Sequence, residues 1–491
     1  MSELAQKAVR GTMAVFLSNT VSRLVSFLGG LYLMERVGVA DFGAVAYAAS
    51  LLAIADAFSN WGFSQAATRR EERVEETFST FLVLRVGMLF GALAILAIGV
   101  GAFWGAVAQR THLAVLGVLA AGAVCDAVSD VRATRLVRSL RFGRMMIADV
   151  VSVAVATGMA VAAAALGWGI VALLLNRVLY SVARATSLAC LGAREPIRIG
   201  FHKKDAAWLL RFGLPLWLGS LATTWVLHFD DLVVGHLRGK ETLGHYDRAY
   251  ALALLPLAFI TGVLTRVSFP LYARLQADRA RLSEAFRIVS GATLRLAGPM
   301  ALGLALAIPD FLAVMRWGQW EPMTPIFRWL LVYAMLRPLM DDAGGLLTAV
   351  GRPRVTGHTL VAEALALVVL CPMLTAWWGA EGAAASVGLV VLGGLATWYV
   401  VFLPCVLEVR YFRLLVPPLA SLLAAGAAGI AVQRWAGLAV GLPRGAATLA
   451  AVAAVYLAGI LLLEGRQTLA DLALLRRHAL GDKTHAHPDR D

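Results

Sequence analysis

Long apolar stretches separated by short polar segments occupy most of the chain. A window of about 19 residues, the usual length for detecting membrane helices, selects fourteen of them. The predicted spans are residues 11–34, 42–66, 78–103, 112–131, 145–166, 169–191, 207–235, 243–271, 288–309, 326–350, 355–377, 382–404, 414–433 and 445–463. Each can cross a bilayer as an α-helix, which takes about 20 residues. Because the stretches are continuous and do not alternate with period two, they predict a helical bundle and not a β-barrel.

The composition agrees with a chain that lies mostly in lipid. Of the 491 residues, 59% are hydrophobic and 15% are charged. Ordinary globular domains are about 45–50% apolar and about 25% charged. A water-soluble fold is therefore excluded, and the predicted fold class is an all-α integral membrane protein without a separate soluble domain.

Lysine and arginine are concentrated in every second connection between the spans, for example in residues 69–73, 132–144 and 194–204. The connections between these contain few basic residues. Since cytoplasmic connections are enriched in basic residues, this asymmetry predicts that both termini are cytoplasmic. Most of the formal net charge of +13 belongs to that inner face.

An internal repeat relates the second and eighth spans. Residues 40–58 align with residues 241–259, so that Gly43 pairs with Gly244. Further along, Arg85 pairs with Arg295. The common order of these matches predicts two six-helix lobes of the same topology. The predicted divisions are an N-terminal lobe in residues 1–192, a C-terminal lobe in 193–405, two additional helices in 406–465 and a polar cytoplasmic tail in 466–491.

Six short motifs carry a family resemblance. They are FDDLVVG at residues 229–235, LGHYDRAY at 243–250, PLYARLQ at 270–276, DFG at 41–43, WGFSQA at 61–66 and GRPR at 351–354. As a set they resemble the polysaccharide-transport branch, with its Wzx-type oligosaccharide flippases, of the multidrug/oligosaccharidyl-lipid/polysaccharide exporter superfamily. The resemblance implies about fourteen helices, with two six-helix lobes around a central cavity and two C-terminal helices.

The resemblance also implies a function. Members of this branch move a polyprenyl-diphosphate-linked oligosaccharide from the inner to the outer leaflet of the bacterial cytoplasmic membrane, by alternating access and without ATP hydrolysis. The implied partners are that lipid, the bilayer and a polysaccharide polymerase or export machinery, with no nucleic acid and no cofactor. The segment at 235–241 looks like a phosphate-binding loop, but it is one residue short and has Glu241 where a hydroxyl residue must hold magnesium, so it predicts a turn.

Ten arginines lie within the predicted spans or at their ends, namely Arg23, Arg85, Arg177, Arg184, Arg211, Arg248, Arg266, Arg295, Arg328 and Arg337. A lipid-facing arginine at a helix centre costs about 2.5–3.5 kcal/mol on insertion scales, so these side chains are expected to face a hydrated interior. Guanidinium groups bind phosphate oxygens in pairs and stay charged, which suits a diphosphate.

The substrate-binding candidates chosen from this set are Arg23, Arg85, Arg266, Arg295 and Arg337, together with Asn19. Arg23 and Asn19 belong to a polar and small stripe on the first helix, whose glycines could instead pack against another helix. Arg85, Arg266 and Arg295 could instead extend to the inner interface. Arg337 could simply pair with Asp341 one helical turn later.

Acidic residues inside the spans are candidates for ion coupling. Asp56, Asp341 and Glu363 are predicted to lie deepest. Burial disfavours a charged carboxylate, so each could carry a proton or a sodium ion. The alternative is a structural salt bridge to an arginine. No metal site or catalytic residue is predicted.

Two other functions remain open from the sequence. A drug exporter of the same superfamily would share the fold, although the arginines within the spans argue against a cationic substrate. A membrane glycosyltransferase or polymerase would need catalytic acids on an extended outer loop, and the longest outer connection offers only Asp310 and Glu321. Tryptophans such as Trp61 and Trp217 could stack on sugars, or could lie in the aromatic belts at the membrane interface.

Overall fold

The computed structural model describes residues 3–103, 106–191, 199–408 and 411–465. All regular secondary structure in these residues is helical. Within them the α-helices are α1 (Glu3–Arg36), α2 (Val39–Ser59), α3 (Phe63–Arg69), α4 (Val74–Phe103), α5 (Ala106–Arg138), α6 (Phe142–Ala165), α7 (Ile170–Leu191), α8 (Lys203–Leu275), α9 (Arg279–Met315), α10 (Met323–Ala349), α11 (Pro353–Trp378), α12 (Ala380–Thr397), α13 (Tyr411–Trp435) and α14 (Leu442–Glu464). The all-α prediction is confirmed.

Three predicted spans differ from the helices in an informative way. The span at 42–66 is interrupted, because α2 ends at Ser59 and Gly62 adopts a left-handed conformation (φ 64°) before α3. The spans at 207–235 and 243–271 both lie in α8, whose backbone leaves the helical conformation at Gly239 (φ 83°, ψ 175°). Glycine adopts a positive φ without steric cost. The predicted turn at 235–241 is therefore a kink between two helical arms of α8, a first arm in residues 203–238 and a second arm in residues 240–275.

Ten helical segments of the described residues are long and apolar enough to cross a membrane, so the chain is a multi-span membrane protein. The helices α1, α8 and α10 are not among the ten. Charged side chains interrupt the apolar sequence of α10 at Arg328, Arg337, Asp341 and Asp342. Helices with this pattern need a polar surrounding for those side chains, which is where functional groups of membrane proteins are found.

The chain forms two compact units. Unit 1 contains Met1–Arg248 and Leu360–Ser386, and unit 2 contains Ala249–Thr359 and Val387–Asp491. In unit 1, α1 packs on α6, α6 on α7, and α5 on α2, α4 and α7. In unit 2, α9 packs against α10, α13 and α14. The division into six-helix lobes at residues 192 and 405 stays a prediction, and the predicted tail at 466–491 lies outside the described residues.

The repeat predicted around Gly43 and Gly244 corresponds to a reciprocal contact within unit 1. A Cβ atom on Gly43 would overlap the carbonyl oxygen of Lys240, and a Cβ atom on Gly244 would overlap that of Val39. Val39 lies four residues before Gly43, and Lys240 lies four residues before Gly244. The two segments are therefore related in register, and each requires a glycine because the backbones touch.

In unit 2 the last helix is fixed to α9 at both ends. The Arg295 guanidinium lies 2.7 Å from the Glu464 carboxylate, and Asp310 lies 2.8 Å from Arg444. The acids are nearly fully buried, with side-chain exposures of 6% for Glu464 and 2% for Asp310. Because charges in such surroundings require partners, these pairs determine how α14 docks on α9.

Candidate functional site

A polar cleft of about 400 Å³ lies within unit 1. Its walls come from α2, α4, α5, α7 and the first arm of α8. Helical spacing places the polar side chains on the inward faces: Asp126 and Asp130 are four residues apart on α5, and Arg177, Ser181 and Arg184 follow at intervals of four and three on α7. The lining includes three arginines, Arg85, Arg177 and Arg184, and three aspartates, Asp56, Asp126 and Asp130.

Arg85 of α4 is the most buried charged group of the cleft, with 1% of its side chain exposed. Its guanidinium donates to the Asp56 carboxylate of α2 at 2.6 Å and to the Asp130 carboxylate of α5 at 3.4 Å. It also donates to the hydroxyl of Ser59. Arg85 thus joins α4 to α2 and α5. From its place in the sequence, Arg85 is predicted either to bind substrate or to extend to the inner interface, and neither prediction includes these ion pairs.

Arg184 of α7 extends the same chain of ion pairs. It lies 3.1 Å from the Asp149 carboxylate of α6 and 3.6 Å from that of Asp130. Asp130 is therefore shared by two arginines, and its distances to them exceed those of the other two carboxylates.

Arg177 differs from the other two arginines of the cleft. It is exposed on the wall of the cleft and makes no ion pair with any residue that the structure describes. The neighbouring acid, Asp126, accepts a hydrogen bond from Ser181 at 2.8 Å. Arg177 is thus the arginine of the cleft whose donors are available to a ligand.

A second polar group borders the cleft at α8. His228 lines the cleft, and its Nδ1 lies 3.3 Å from the Ser50 hydroxyl of α2 and 3.7 Å from the Asp231 carboxylate. Ser50 donates to Asp231 at 2.7 Å. These contacts fix the first arm of α8 against α2 beside the charged residues.

The remaining predicted residues lie elsewhere. Arg295 pairs with Glu464, and Arg337 pairs with Asp341 at 3.0 Å on its own helix. Arg23 is exposed on α1, Glu363 is buried on α11, and the side chains of Asn19 and Arg266 lie outside what the structure describes. In the α1 stripe, Gly29 lies against Thr157 of α6, as expected for helix packing, whereas Gly30 has open space around it. Among the described residues, no group of three or more His, Cys, Asp or Glu could hold a metal ion.

Sequence reasoning did not select Arg177, Arg184, Asp126 or Asp130 as site residues. A usable signal was present, because polar residues at helical spacing on α5 and α7 indicate two polar faces. The missing information was that these two faces meet each other and Arg85, which depends on packing between distant segments.

The described helices define a known class of membrane transporter fold. The structure resembles that of the lipid II flippase MurJ in an inward closed conformation, with a TM-score of 0.73 and 13% sequence identity, over 92% of this chain and 98% of that chain. At this identity the similarity concerns the fold.

Sequence comparison identifies the family. The model of the polysaccharide biosynthesis protein family matches residues 36–325, and the chain belongs to this family. Two relatives in polysaccharide biosynthesis confirm the predicted resemblance to the polysaccharide-transport branch. The lipopolysaccharide biosynthesis protein WzxC of Escherichia coli (strain K12) is 24% identical over 316 residues, which are 64% of each chain. The succinoglycan biosynthesis transport protein ExoT of Rhizobium meliloti (strain 1021) is 26% identical over 291 residues, or 58% of each chain. The chain thus matches less than two thirds of the length of these relatives.

Proposed function

We propose that the protein is a flippase that moves a polyprenyl-diphosphate-linked oligosaccharide from the inner to the outer leaflet of the bacterial cytoplasmic membrane for surface polysaccharide assembly. The observation that carries the proposal is the arginine-lined cleft inside a helical bundle of this family. Such a cleft offers a charged headgroup a polar environment while the lipid tail stays in the bilayer. The name of ExoT, a transport protein of polysaccharide biosynthesis, supports a transport role and not an enzymatic one.

The charges of the cleft suggest how a diphosphate is bound. Arg177 has free donors and contacts the headgroup first. The phosphate oxygens then compete with Asp130 for Arg85 and Arg184, whose other partners, Asp56 and Asp149, keep them in position. Because arginine binds phosphate through paired hydrogen bonds, this exchange keeps the charges of Arg85 and Arg184 paired while Asp130 gives up its two partners.

The proposal also includes alternating access without ATP hydrolysis, and it places both termini in the cytoplasm. Transport would be coupled to an ion that binds at Asp56, Asp341 or Glu363. Asp56 and Asp341 are each paired with an arginine. Ion binding there would require that pair to open, and at Asp56, which lines the cleft, this links coupling to the exchange of partners of Arg85. Contact with a polysaccharide polymerase or export machinery is the expected next step for the product.

The test is flipping by the purified protein in proteoliposomes. The substrate is the lipid-linked oligosaccharide that accumulates in a deletion strain of the native host. We expect R177A to slow flipping about tenfold, since a charged hydrogen bond contributes about 1.5–3 kcal/mol. R434A, an exposed arginine of α13 outside the cleft, serves as the matched control. Absence of flipping by the wild type, or flipping by R177A at the wild-type rate, would contradict the assignment.

A second candidate, an exporter of cationic drugs, is favoured by the three aspartates of the cleft. The variant D130N separates the two functions by the sign of its effect. It removes the anion that competes for Arg85 and Arg184, so it should bind a diphosphate lipid more tightly. For a cationic substrate it removes an attractive charge, so it should weaken binding and lower drug resistance.

A further inference from the structure

Three aromatic side chains of unit 1 form a cluster next to the cleft. The rings of Trp61 and Trp217 are stacked, with centroids 4.6 Å apart and an interplanar angle of 18°. Phe58 packs on Trp217 at 6.0 Å and is 46% exposed. We call Phe58, Trp61 and Trp217 the aromatic cluster. Trp61 follows the end of α2, and Trp217 lies on the first arm of α8, so the cluster also holds these two segments together.

Both indole N–H groups of the cluster are used within the protein. Trp61 donates to the carbonyl oxygen of Phe58 at 2.9 Å, and Trp217 donates to that of Ala57 at 3.0 Å. A tryptophan of an interfacial belt instead directs its polar group towards the headgroups and water. The belt interpretation therefore does not explain this cluster, whose rings are held in fixed orientations by backbone atoms.

The surroundings of the cluster combine the groups that recognise a carbohydrate. Asn60 and Ser220 line the cleft, one beside Trp61 in sequence and the other one turn after Trp217. The Asn60 amide can donate to and accept from sugar hydroxyls, and the Ser220 hydroxyl, which donates to the Trp217 carbonyl oxygen at 3.0 Å, can accept from them. The apolar face of a sugar ring packs on aromatic rings, which lose little conformational entropy when they bind. Rigid rings, adjacent hydrogen-bonding groups and a charged cleft thus occur together.

We propose that the aromatic cluster, with Asn60 and Ser220, binds a sugar ring of the transported glycan next to the diphosphate. This inference rests on the proposed function, because the family and the cleft indicate a glycan attached to a charged headgroup. The charged residues then recognise the part common to all such lipids, and the aromatic cluster makes the protein sensitive to the sugar.

The test measures binding to the full-length protein in lipid nanodiscs with three probes. They are the lipid-linked oligosaccharide from the deletion strain, polyprenyl diphosphate without sugar, and the free oligosaccharide released from that lipid. We expect W61A and W217A to weaken binding of the glycosylated lipid about tenfold, as expected for loss of an aromatic contact, and to leave the sugar-free lipid unchanged. W217F keeps a ring and should retain most of the affinity. W377A, at a tryptophan that is 69% exposed on α11, is the matched control.

The outcomes separate this inference from the proposed function. The sugar site is contradicted if W61A and W217A lose affinity equally for both lipids, or lose none for either lipid. Neither result contradicts the proposed flippase function. If the wild type binds neither lipid, the proposed function is contradicted. The sugar site is then tested with the free oligosaccharide alone. Binding of the oligosaccharide that is weakened by W217A supports the sugar site, and lack of binding contradicts it. Thermal unfolding of each variant identifies any loss of affinity that arises from loss of folding.

Discussion

Arg85 on α4 and Arg295 on α9 are paired by the predicted repeat, yet their surroundings differ. Arg85 is shared between Asp56 and Asp130 and lies on the wall of a polar cleft. Arg295 has Glu464 of the last helix as its partner. One arginine is therefore part of a network that lines a cleft, and the other attaches the last helix. Two arginines that the predicted repeat pairs thus have different partners, and the partners determine what each arginine holds.

The largest effect that would test this comparison is expected from R85A. The substitution leaves Asp56 without its buried cation and leaves Asp130 with Arg184 alone, which should lower the free energy of unfolding by about 3–5 kcal/mol. Denaturant or thermal unfolding of the purified protein measures the change. The double variant R85A/D56N should recover part of the loss, because one uncompensated carboxylate is removed. Normal stability of R85A with abolished flipping would show instead that Arg85 serves mainly the substrate.

A smaller effect is expected for the other arginine. R295A should lower the free energy of unfolding by about 2–3 kcal/mol, because it removes the arginine that pairs with the nearly buried carboxylate of Glu464. A double-mutant cycle with E464A measures the coupling between the two residues, expected at about 1–3 kcal/mol. Flipping by the pair variant R295A/E464A should continue, since this pair holds α14 and lies outside the cleft. Loss of flipping by a stable pair variant would remove the contrast with Arg85.

The smallest effect concerns the backbone contact that relates the two repeated segments. G43A places a methyl group against the carbonyl oxygen of Lys240 and should cost about 1–2 kcal/mol, as overpacking does elsewhere. G244A should behave in the same way against Val39. Gly30 of α1, which has open space around it, provides the control: G30A should be neutral or slightly stabilising. Equal stabilities for all three variants would show that the close approach is not required.

Much of the fold could be predicted because membrane helices are defined by local composition. All fourteen predicted spans correspond to helical structure, and the equivalence of Gly43 with Gly244 agrees with their reciprocal contact. Sequence-based prediction fails where two residues have similar local sequence patterns but pack differently in the fold. The sequence could place Asp130 on one helical face and Arg184 on another, but not show that these faces meet. It also could not distinguish Trp217, whose indole donates to a backbone carbonyl, from a tryptophan of the interface.

The contact between Gly43 and Gly244 also has a consequence for how the chain tolerates mutation. In a dimer of identical subunits, residues that meet at a two-fold axis do so reciprocally, so one codon specifies both sides of the contact. Here the same reciprocal geometry is specified by two codons in one gene. A substitution at either glycine is therefore enough to disturb the contact, and the unchanged partner cannot compensate for it.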